Sequence, residues 1–236
     1  MYIGWNKEEK MDETETLSTE GVADVRPSAG SCYSHGWDRM WRYFLELLLV
    51  IVVLFVAAFP LTWISISDEI GNYQGFLLEF FALVYWILLF GPLKYGLAYA
   101  FLRASRNERL DTKDMLAPFG NYFNAVLANL LVMIVVGIGL VFLIVPGIIL
   151  ACKLAFVPYL VVDRRLDAIE AFKESWRMTG GHALEIFLIG LLAVPITIGG
   201  LLLLGVGLIV STMWIGLAMA SIYHAVSAPA GEAVRG

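Results

Sequence analysis

Three long stretches without a single Asp, Glu, Lys or Arg constrain this chain more than any other feature. They run from Leu47 to Ser67, from Met115 to Cys152 and from Ile186 to Gly231. A bilayer core about 30 Å thick takes about 20 apolar residues of an α-helix, because each residue adds about 1.5 Å. The first stretch therefore fits one transmembrane helix, and each of the other two must fold into a hairpin. We predict an all-α fold, a polytopic transmembrane helical bundle.

The distribution of basic residues predicts the topology of this bundle. Arg103, Arg106 and Lys113 follow the second predicted span, whereas the loop 67–75 contains acidic residues and no Lys or Arg. Short loops rich in Lys and Arg stay in the cytoplasm. Six spans as three hairpins keep both termini cytoplasmic; five spans, with one terminus outside, remain the open alternative. The predicted spans cover about 43–66, 76–102, 122–144, 147–162, 183–199 and 205–226.

Composition divides the chain into a membrane domain and two tails. Residues 1–32 are polar with scattered charge, which predicts a disordered cytoplasmic tail. Residues 33–226 form the transmembrane domain, and residues 227–236 form a short cytoplasmic tail. The polar start lacks the pattern of a cleaved signal, so we expect the first span to act as an uncleaved anchor. Acids and bases nearly balance beyond residue 42, and no basic stripe indicates nucleic acid as a partner.

A polar segment at about 167–178, between the fourth and fifth spans, predicts an amphipathic helix. Asp167 and Glu170 have the spacing of an N-terminal capping box, and Thr179-Gly180-Gly181 supplies the stop. Such a helix lies at the cytoplasmic interface or docks under the bundle. Its predicted apolar face consists of Leu166, Ile169, Phe172 and Trp176.

Glycine and proline mark predicted kinks and turns. Gly91-Pro92 should kink the second span, because proline removes one helix hydrogen bond. Pro146-Gly147 should reverse the second hairpin, and the glycines between Gly199 and Gly207 should reverse the third. Small residues spaced for close helix contact, which fit packing within one chain or a dimer interface, are Gly96, Ala100, Ala104, Gly216 and Ala220.

Five polar residues within the predicted spans are the candidate functional residues. Glu46, Lys94, Lys153 and Glu185 are ionisable, and a charge near the bilayer centre costs about 2.5–3.5 kcal/mol on insertion scales. Such residues face the bundle interior or water, so we predict a buried polar network that Asn129 can join. The alternative is a polar cavity around Lys94 and Lys153, open to the cytoplasmic leaflet, that binds an anionic lipid head group or a small solute.

A weak internal repeat accompanies these elements. Aligning Trp37 with Trp176 places Glu46 opposite Glu185, and Phe119 fits the same register. Each unit would consist of an interfacial segment followed by a hairpin, three times in the same orientation. Chance matches in apolar sequence remain the alternative.

Two groups of short motifs carry a resemblance to a known family. They are Gly91-Pro92-Leu93-Lys94-Tyr95-Gly96-Leu97 with the loop Arg103 to Glu108, and Ile144-Val145-Pro146-Gly147-Ile148-Ile149-Leu150 with Ser175-Trp176 and Thr179-Gly180-Gly181-His182. In these motifs the chain resembles a family of bacterial polytopic integral membrane proteins of unassigned function. This family resembles the membrane domain attached to some glycerophosphodiester phosphodiesterases. The resemblance implies a bacterial inner (plasma) membrane location; the phosphodiesterase activity belongs to a separate soluble domain and is not carried over.

The sequence contains no recognisable catalytic motif, so we predict a protein that is not an enzyme and needs no cofactor and no metal. The expected function is structural, organising or regulatory. The alternative is a transporter or lipid-handling protein that uses the cavity around Lys94 and Lys153. The expected partners are membrane lipids and, through the small-residue faces, other membrane proteins or a second copy; no nucleic acid is expected.

Overall fold

The computed structural model describes residues 27–66, 73–108, 110, 112–203 and 206–227. Every regular element within these residues is helical, which confirms the predicted all-α fold. Predictions for the remaining residues lie outside the described part of the chain. The elements are α1 (Ala29–Arg42), α2 (Phe44–Ile66), α3 (Tyr73–Tyr85), a π-helical segment (Trp86–Phe90), α4 (Gly91–Ser105), a 3-10 helix (Thr112–Asn121), α5 (Tyr122–Phe142), α6 (Ile144–Lys153), α7 (Val157–Asp163), α8 (Ala168–Met178), α9 (Ala183–Leu202) and α10 (Val206–Ser227).

Within the described residues, five helical segments are long and apolar enough to cross a membrane, and a sixth is obtained when the bent pair of α1 and α2 counts as one span. The second span is continuous through the π-helical segment, and the fourth consists of α6 and α7. The five segments are Leu77–Ser105, Ala117–Phe142, Ile144–Asp163, Ala183–Leu202 and Gly207–Ser227.

Helix α1 is the largest difference from the prediction, because it begins at Ala29, inside the predicted tail 1–32. Its buried residues recur at the helical period and form one face, which consists of Ala29, Cys32, Tyr33, Gly36 and Met40. A Cβ atom on Gly36 would lie 3.1 Å from the backbone nitrogen of Ala218 in α10, so the two helices are in close contact. The axis of α1 makes an angle of 93° with α2. Helix α1 therefore packs along α10 and turns sharply into α2.

The packed core lies near the end of the bundle where α1 contacts α10. Fully buried side chains there come from five helices and include Met40, Leu102, Leu160, Ile189 and Tyr223. At the other end of the spans the apolar side chains are exposed; Val141 is 86% exposed and Leu202 is 80% exposed. Apolar surface of this kind matches lipid, because lipid tails are as apolar as the side chains themselves.

The second hairpin reverses earlier than predicted. Helix α5 ends at Phe142, Leu143 is extended with φ −161° and ψ 135°, and α6 begins at Ile144. Pro146 therefore lies in the first turn of α6, where its missing N–H costs no helix hydrogen bond. Gly147 is helical and not a turn residue: a Cβ atom there would lie 2.8 Å from the Cα atom of Leu140.

The third hairpin reverses within the predicted stretch between Gly199 and Gly207, but after its first two glycines. Helix α9 continues through Gly199 and Gly200 to Leu202, and α10 begins at Val206. A Cβ atom on Gly200 would lie 2.6 Å from the carbonyl oxygen of Gly207 and would also overlap Ser211 Oγ. These glycines permit two helices to approach closely; they do not form the turn.

The predicted irregularity at Gly91-Pro92 is present as a π-helical segment that ends at Phe90. Pro92 has no N–H with which to bind the carbonyl of Leu88, four residues earlier. The hydroxyl of Tyr122 in α5 donates to that carbonyl oxygen at 2.8 Å. A neighbouring span thus replaces the hydrogen bond that proline removes, as a helix in lipid requires.

The predicted small-residue faces pack inside this chain. Ala100, Ala104 and Ala220 are buried. A Cβ atom on Gly216 of α10 would overlap the ring of Phe101 in α4. These contacts use the small residues to bring α4 and α10 together.

Adjacent glycines in α9 allow a matched test of the close helix crossing. We expect Gly200→Ala to lower the melting temperature in detergent, because overpacking costs typically about 1–3 kcal/mol. Gly199→Ala is the control, since a Cβ atom at Gly199 has nothing within 4 Å. Thermal unfolding of both variants checks this; equal melting temperatures would contradict the crossing.

Candidate functional site at the basic end of the bundle

The ends of α4, α7 and α10 meet in one ion-paired cluster. Arg106 donates from Nη1 and Nη2 to the two carboxylate oxygens of Asp163, at 2.6 and 2.9 Å. The hydroxyl of Tyr223 donates to Asp163 Oδ2 at 3.0 Å. Burial alone favours the neutral form of Arg106, but the hydrogen bond and charge of Asp163 outweigh it and raise the pKa of Arg106. A bidentate pair of this kind, in which one guanidinium binds both oxygens of a carboxylate, fixes the relative orientation of the two side chains as well as pairing their charges.

We call this region the basic end; it comprises residues 39–43, 103–108, 163–167, 173–177 and 221–224. Most basic residues of the described chain lie in these segments. Hydrogen bonds join α1 to the turn after α4, that turn to the end of α7, and the loop after α7 to α8. The candidate site is therefore a layer of interfacial elements across one end of the spans.

A break in the fourth span is the most demanding feature of this layer. Helix α6 ends at Lys153, α7 begins at Val157, and Pro158 in the first turn of α7 cannot donate to the preceding turn. The break frees the carbonyl oxygen of Lys153 and the backbone N–H of Phe156. A free backbone group within an apolar span costs several kcal/mol unless another group binds it.

Helix α8 supplies the partners for this break. Ser175 Oγ donates to the Lys153 carbonyl oxygen at 2.8 Å and accepts the N–H of Phe156 at 3.3 Å. Thr179 Oγ1 lies 3.3 Å from the same carbonyl oxygen, but its shortest hydrogen bond, at 2.8 Å, is to the carbonyl oxygen of Ser175 in its own helix. Ser175 is therefore the main partner of the break. Ser175 and Thr179 are fully buried. The interfacial helix is therefore fastened to the bundle by hydrogen bonds as well as by packing.

Helix α8 confirms the predicted element but docks on a different face. The buried face is small and consists of Ala168, Ala171 and Ser175. Ile169 and Trp176 of the predicted apolar face are 59% and 44% exposed. Of the other predicted residues, Leu166 and Phe172 are half-buried. The face of small residues thus contacts the bundle, while the neighbouring apolar face with Ile169 and Trp176 is exposed.

The predicted capping box does not form. Asp167 occupies the N-cap position without a side-chain cap hydrogen bond. Its carboxylate instead accepts a hydrogen bond from Asn124 Nδ2 at 2.8 Å. This contact joins the start of α8 to α5.

Helix α1 is fastened by equally specific contacts. The Tyr33 hydroxyl donates to the Ile189 carbonyl oxygen at 2.8 Å, and Trp214 Nε1 donates to the Tyr33 carbonyl oxygen at 2.8 Å. The carboxylate of Glu185 accepts the N–H of Ala29 at 2.7 Å. A carboxylate at the start of a helix is stabilised by the positive end of the helix dipole.

The structure does not bring the predicted polar residues into one network. Glu185 binds the start of α1, and Glu46 is exposed on α2. Lys153 is half-buried, with Nζ 5.7 Å from the centre of the Trp176 ring. Among the described residues, no ion pair joins a lysine of this set to a glutamate of this set.

Lys94 and Asn129 lie close to the π-helical segment and to Gly91, which follows it. Lys94 is exposed, with Nζ 5.9 Å from the centre of the Trp86 ring and 6.0 Å from that of Phe90. Asn129 packs on Gly91, where a Cβ atom would lie 2.6 Å from Asn129 Nδ2. That amide nitrogen is buried without a hydrogen-bond partner among the described residues. Gly91 is thus required by close contact with α5.

Sequence reasoning missed the residues that hold the basic end together. A signal existed for Ser175, which lies on the same helical face as Ala168 and Ala171 and extends a stripe of small residues. No signal distinguished Asp163 from other charged residues at a span end. The described residues include no group of three or more His, Cys, Asp or Glu side chains that could hold a metal ion.

The fold and this layer define the class: a helical membrane protein with five or six spans and interfacial helices at one end. A family model described as "Domain of unknown function (DUF7847)" matches residues 114–235, about half of the chain, so the chain belongs to this family. No curated protein and no solved structure matches the chain significantly. The resemblance to the phosphodiesterase-associated membrane domain stays a prediction.

We expect loss of both hydroxyls that bind the break to destabilise the protein. The double variant Ser175→Ala, Thr179→Val leaves a buried carbonyl unpaired, which costs about 1–3 kcal/mol. Its melting temperature in detergent should fall, and hydrogen exchange in residues 168–178 should accelerate.

The matched control is Thr197→Val, Thr212→Val. These hydroxyls bind carbonyls four residues earlier on exposed helix surfaces, where the helix hydrogen bonds remain. An equal loss of stability in both double variants would show that the span break does not depend on α8.

Proposed function

We propose that this chain is a noncatalytic integral membrane protein with a structural, organising or regulatory role in the bacterial inner membrane. The observation that carries the proposal is the attachment of α8, whose buried hydroxyls bind the broken span while Ile169 and Trp176 face outward. Such a helix is a fixed apolar surface at the level of the lipid head groups. It suits contact with lipid and neighbouring membrane proteins.

The polar side chains of the basic end support a structural role. Arg106, Asp163 and Tyr223 bind one another, and Ser175 binds backbone. Each of these groups has a partner on another helix, so the hydrogen-bonding capacity that could act on a substrate already serves packing. This favours an organising role over catalysis.

The orientation follows from charge. The basic end should be cytoplasmic, with both termini on that side, because Arg- and Lys-rich short loops are retained there. The bacterial location rests on the family resemblance of the sequence.

Thiol labelling tests the orientation. In a version lacking Cys32 and Cys152, we expect an impermeant reagent to label Asn72→Cys in intact cells. It should label Arg177→Cys only after permeabilisation, because Arg177 lies on exposed α8 at the basic end. The reverse pattern would overturn the orientation and leave the fold unaffected.

Site-specific photo-crosslinking tests the organising role. A diazirine-bearing residue at position 169 should form adducts with phospholipid and neighbouring membrane proteins in native membranes. The same residue at position 171 should react only within the chain, because Ala171 is fully buried. Absence of external adducts from position 169 would refute the outward surface.

Lipid handling is the second candidate, favoured by the exposed position of Lys94 beside two aromatic rings on the side of the bundle. Proteoliposomes with a fluorescent anionic lipid separate the two functions. The organising role predicts transbilayer lipid movement at the rate of protein-free liposomes. Faster movement that Lys94→Met abolishes would replace the organising role with lipid handling.

A further inference from the structure

Two arginines of α1 converge on one neutral oxygen at the basic end. Arg39 Nη1 lies 2.7 Å and Arg42 Nη1 lies 2.9 Å from Asn107 Oδ1. The hydroxyl of Tyr43 lies 3.1 Å from the same oxygen. An amide oxygen has two lone pairs, so three donors exceed what it can accept with good geometry.

The positive charge of this cluster has no ion-pair partner in the part of the chain that the structure describes: neither Arg39 nor Arg42 has a carboxylate of a described residue within 4.0 Å. The nearby acid Glu108 binds Arg103, and Asp163 binds Arg106. Arg39 Nε also donates to His35 Nε2 at 3.2 Å, so the only side-chain acceptors of the two guanidinium groups among the described residues are neutral. Each guanidinium has five N–H donors, so most of these donors have no anionic partner.

The local electrostatics agree with this geometry. Burial, together with the neighbouring charge of Arg42, lowers the pKa of Arg39, while Tyr43 and Asp38 oppose that change. Asn107 has φ 60°, a left-handed conformation that asparagine adopts more readily than most residues. The turn after α4 thus holds the acceptor in place, and the guanidinium groups retain N–H donors that can bind one further anionic oxygen.

The position of the cluster identifies the kind of anion. It lies at the 93° corner between α1 and α2. Trp41 beside it is 59% exposed, and Leu45 in the first turn of α2 is 74% exposed. Tryptophan concentrates at the membrane interface, and arginine binds phosphate through paired donors. Within one helical turn, the surface therefore changes from two arginines to an exposed apolar side chain, as at the boundary between lipid head groups and acyl chains.

We propose that Arg39, Arg42 and Tyr43, arranged around Asn107, bind the phosphate of an anionic phospholipid whose acyl chains lie along the exposed side of α2. The position of this site at the membrane rests on the proposed function. The site adds to that function the chemical class of the lipid that is bound. It is separate from Lys94 and from the flank of α8.

The substitution Asn107→Asp tests the site without removing an arginine. A carboxylate at this position supplies the missing anionic acceptor, and aspartate also tolerates the left-handed conformation. We expect the variant to be at least as stable as the wild type without added lipid. It should no longer respond to anionic lipid.

The measurement is the melting temperature of the full-length protein in mild detergent with added phosphatidylglycerol or phosphatidylcholine. At about a hundred times the dissociation constant, phosphatidylglycerol should raise the wild-type melting temperature by about 5 °C relative to phosphatidylcholine. Asn107→Asp should lose most of this difference. Ser34→Asp, which adds the same charge at an exposed position of α1, should retain it.

A second pair of variants keeps the test valid if Asn107→Asp fails to fold. Arg42→Gln should lose most of the response to phosphatidylglycerol, whereas Arg177→Gln, which removes the same charge from α8, should keep it. A full response in Arg42→Gln would overturn the site.

Two further outcomes would also overturn it. No preference of the wild type for phosphatidylglycerol would refute the site, while adducts from position 169 would still support the organising role. An equal shift with soluble glycerol phosphate at the same concentration would assign the cluster to a free phosphate compound and refute the lipid.

Discussion

The carbonyl oxygen of Lys153 must find a hydrogen bond inside an apolar span, and the rest of the basic end is arranged around that requirement. Pro158 prevents the fourth span from continuing as one regular helix. The partners come from Ser175 and Thr179, so α8 must lie directly beneath the break. Its small residues face the bundle for the same reason, because bulkier side chains would hold the hydroxyls away from the carbonyl. Ile169 and Trp176 are consequently turned outward.

A short helix or helical segment also precedes each of the other two predicted hairpins. Helix α1 precedes the first hairpin, the 3-10 helix precedes the second and α8 precedes the third, which agrees with the repeat suggested by Trp37 and Trp176. In each of the two longer interfacial helices, one buried face that includes small residues contacts the bundle and tryptophans remain exposed. The Arg106–Asp163 pair lies between these helices and joins the ends of the spans. The side chains that fix the structure thus gather where the chain enters the bilayer.

The sequence predicted the helical spans well because charge-free length is a one-dimensional property. The interfacial helix was also predictable, since its N-cap residue, its stop and its helical period all fall within residues 167–181, although the capping box does not form. Gly147 and Gly200 were assigned to turns, but the missing Cβ that permits a turn also permits two helices to touch, and only the partner helix decides between these uses. The predicted polar network is absent for a related reason. Glu185 binds the start of α1 and Lys153 lies over the ring of Trp176, and a pattern of charges along the sequence predicts neither contact.

The hairpin reversals have a consequence for how the chain enters the membrane. Only Leu143 separates α5 from α6, and α10 begins at Val206, four positions after α9 ends at Leu202. Each of these hairpins therefore carries almost no polar chain to the far side of the bilayer. Insertion can proceed as paired helices that enter from one side, while arginines and interfacial helices remain behind as anchors. The hairpin, with its entry helix, is the unit in which such a protein is built.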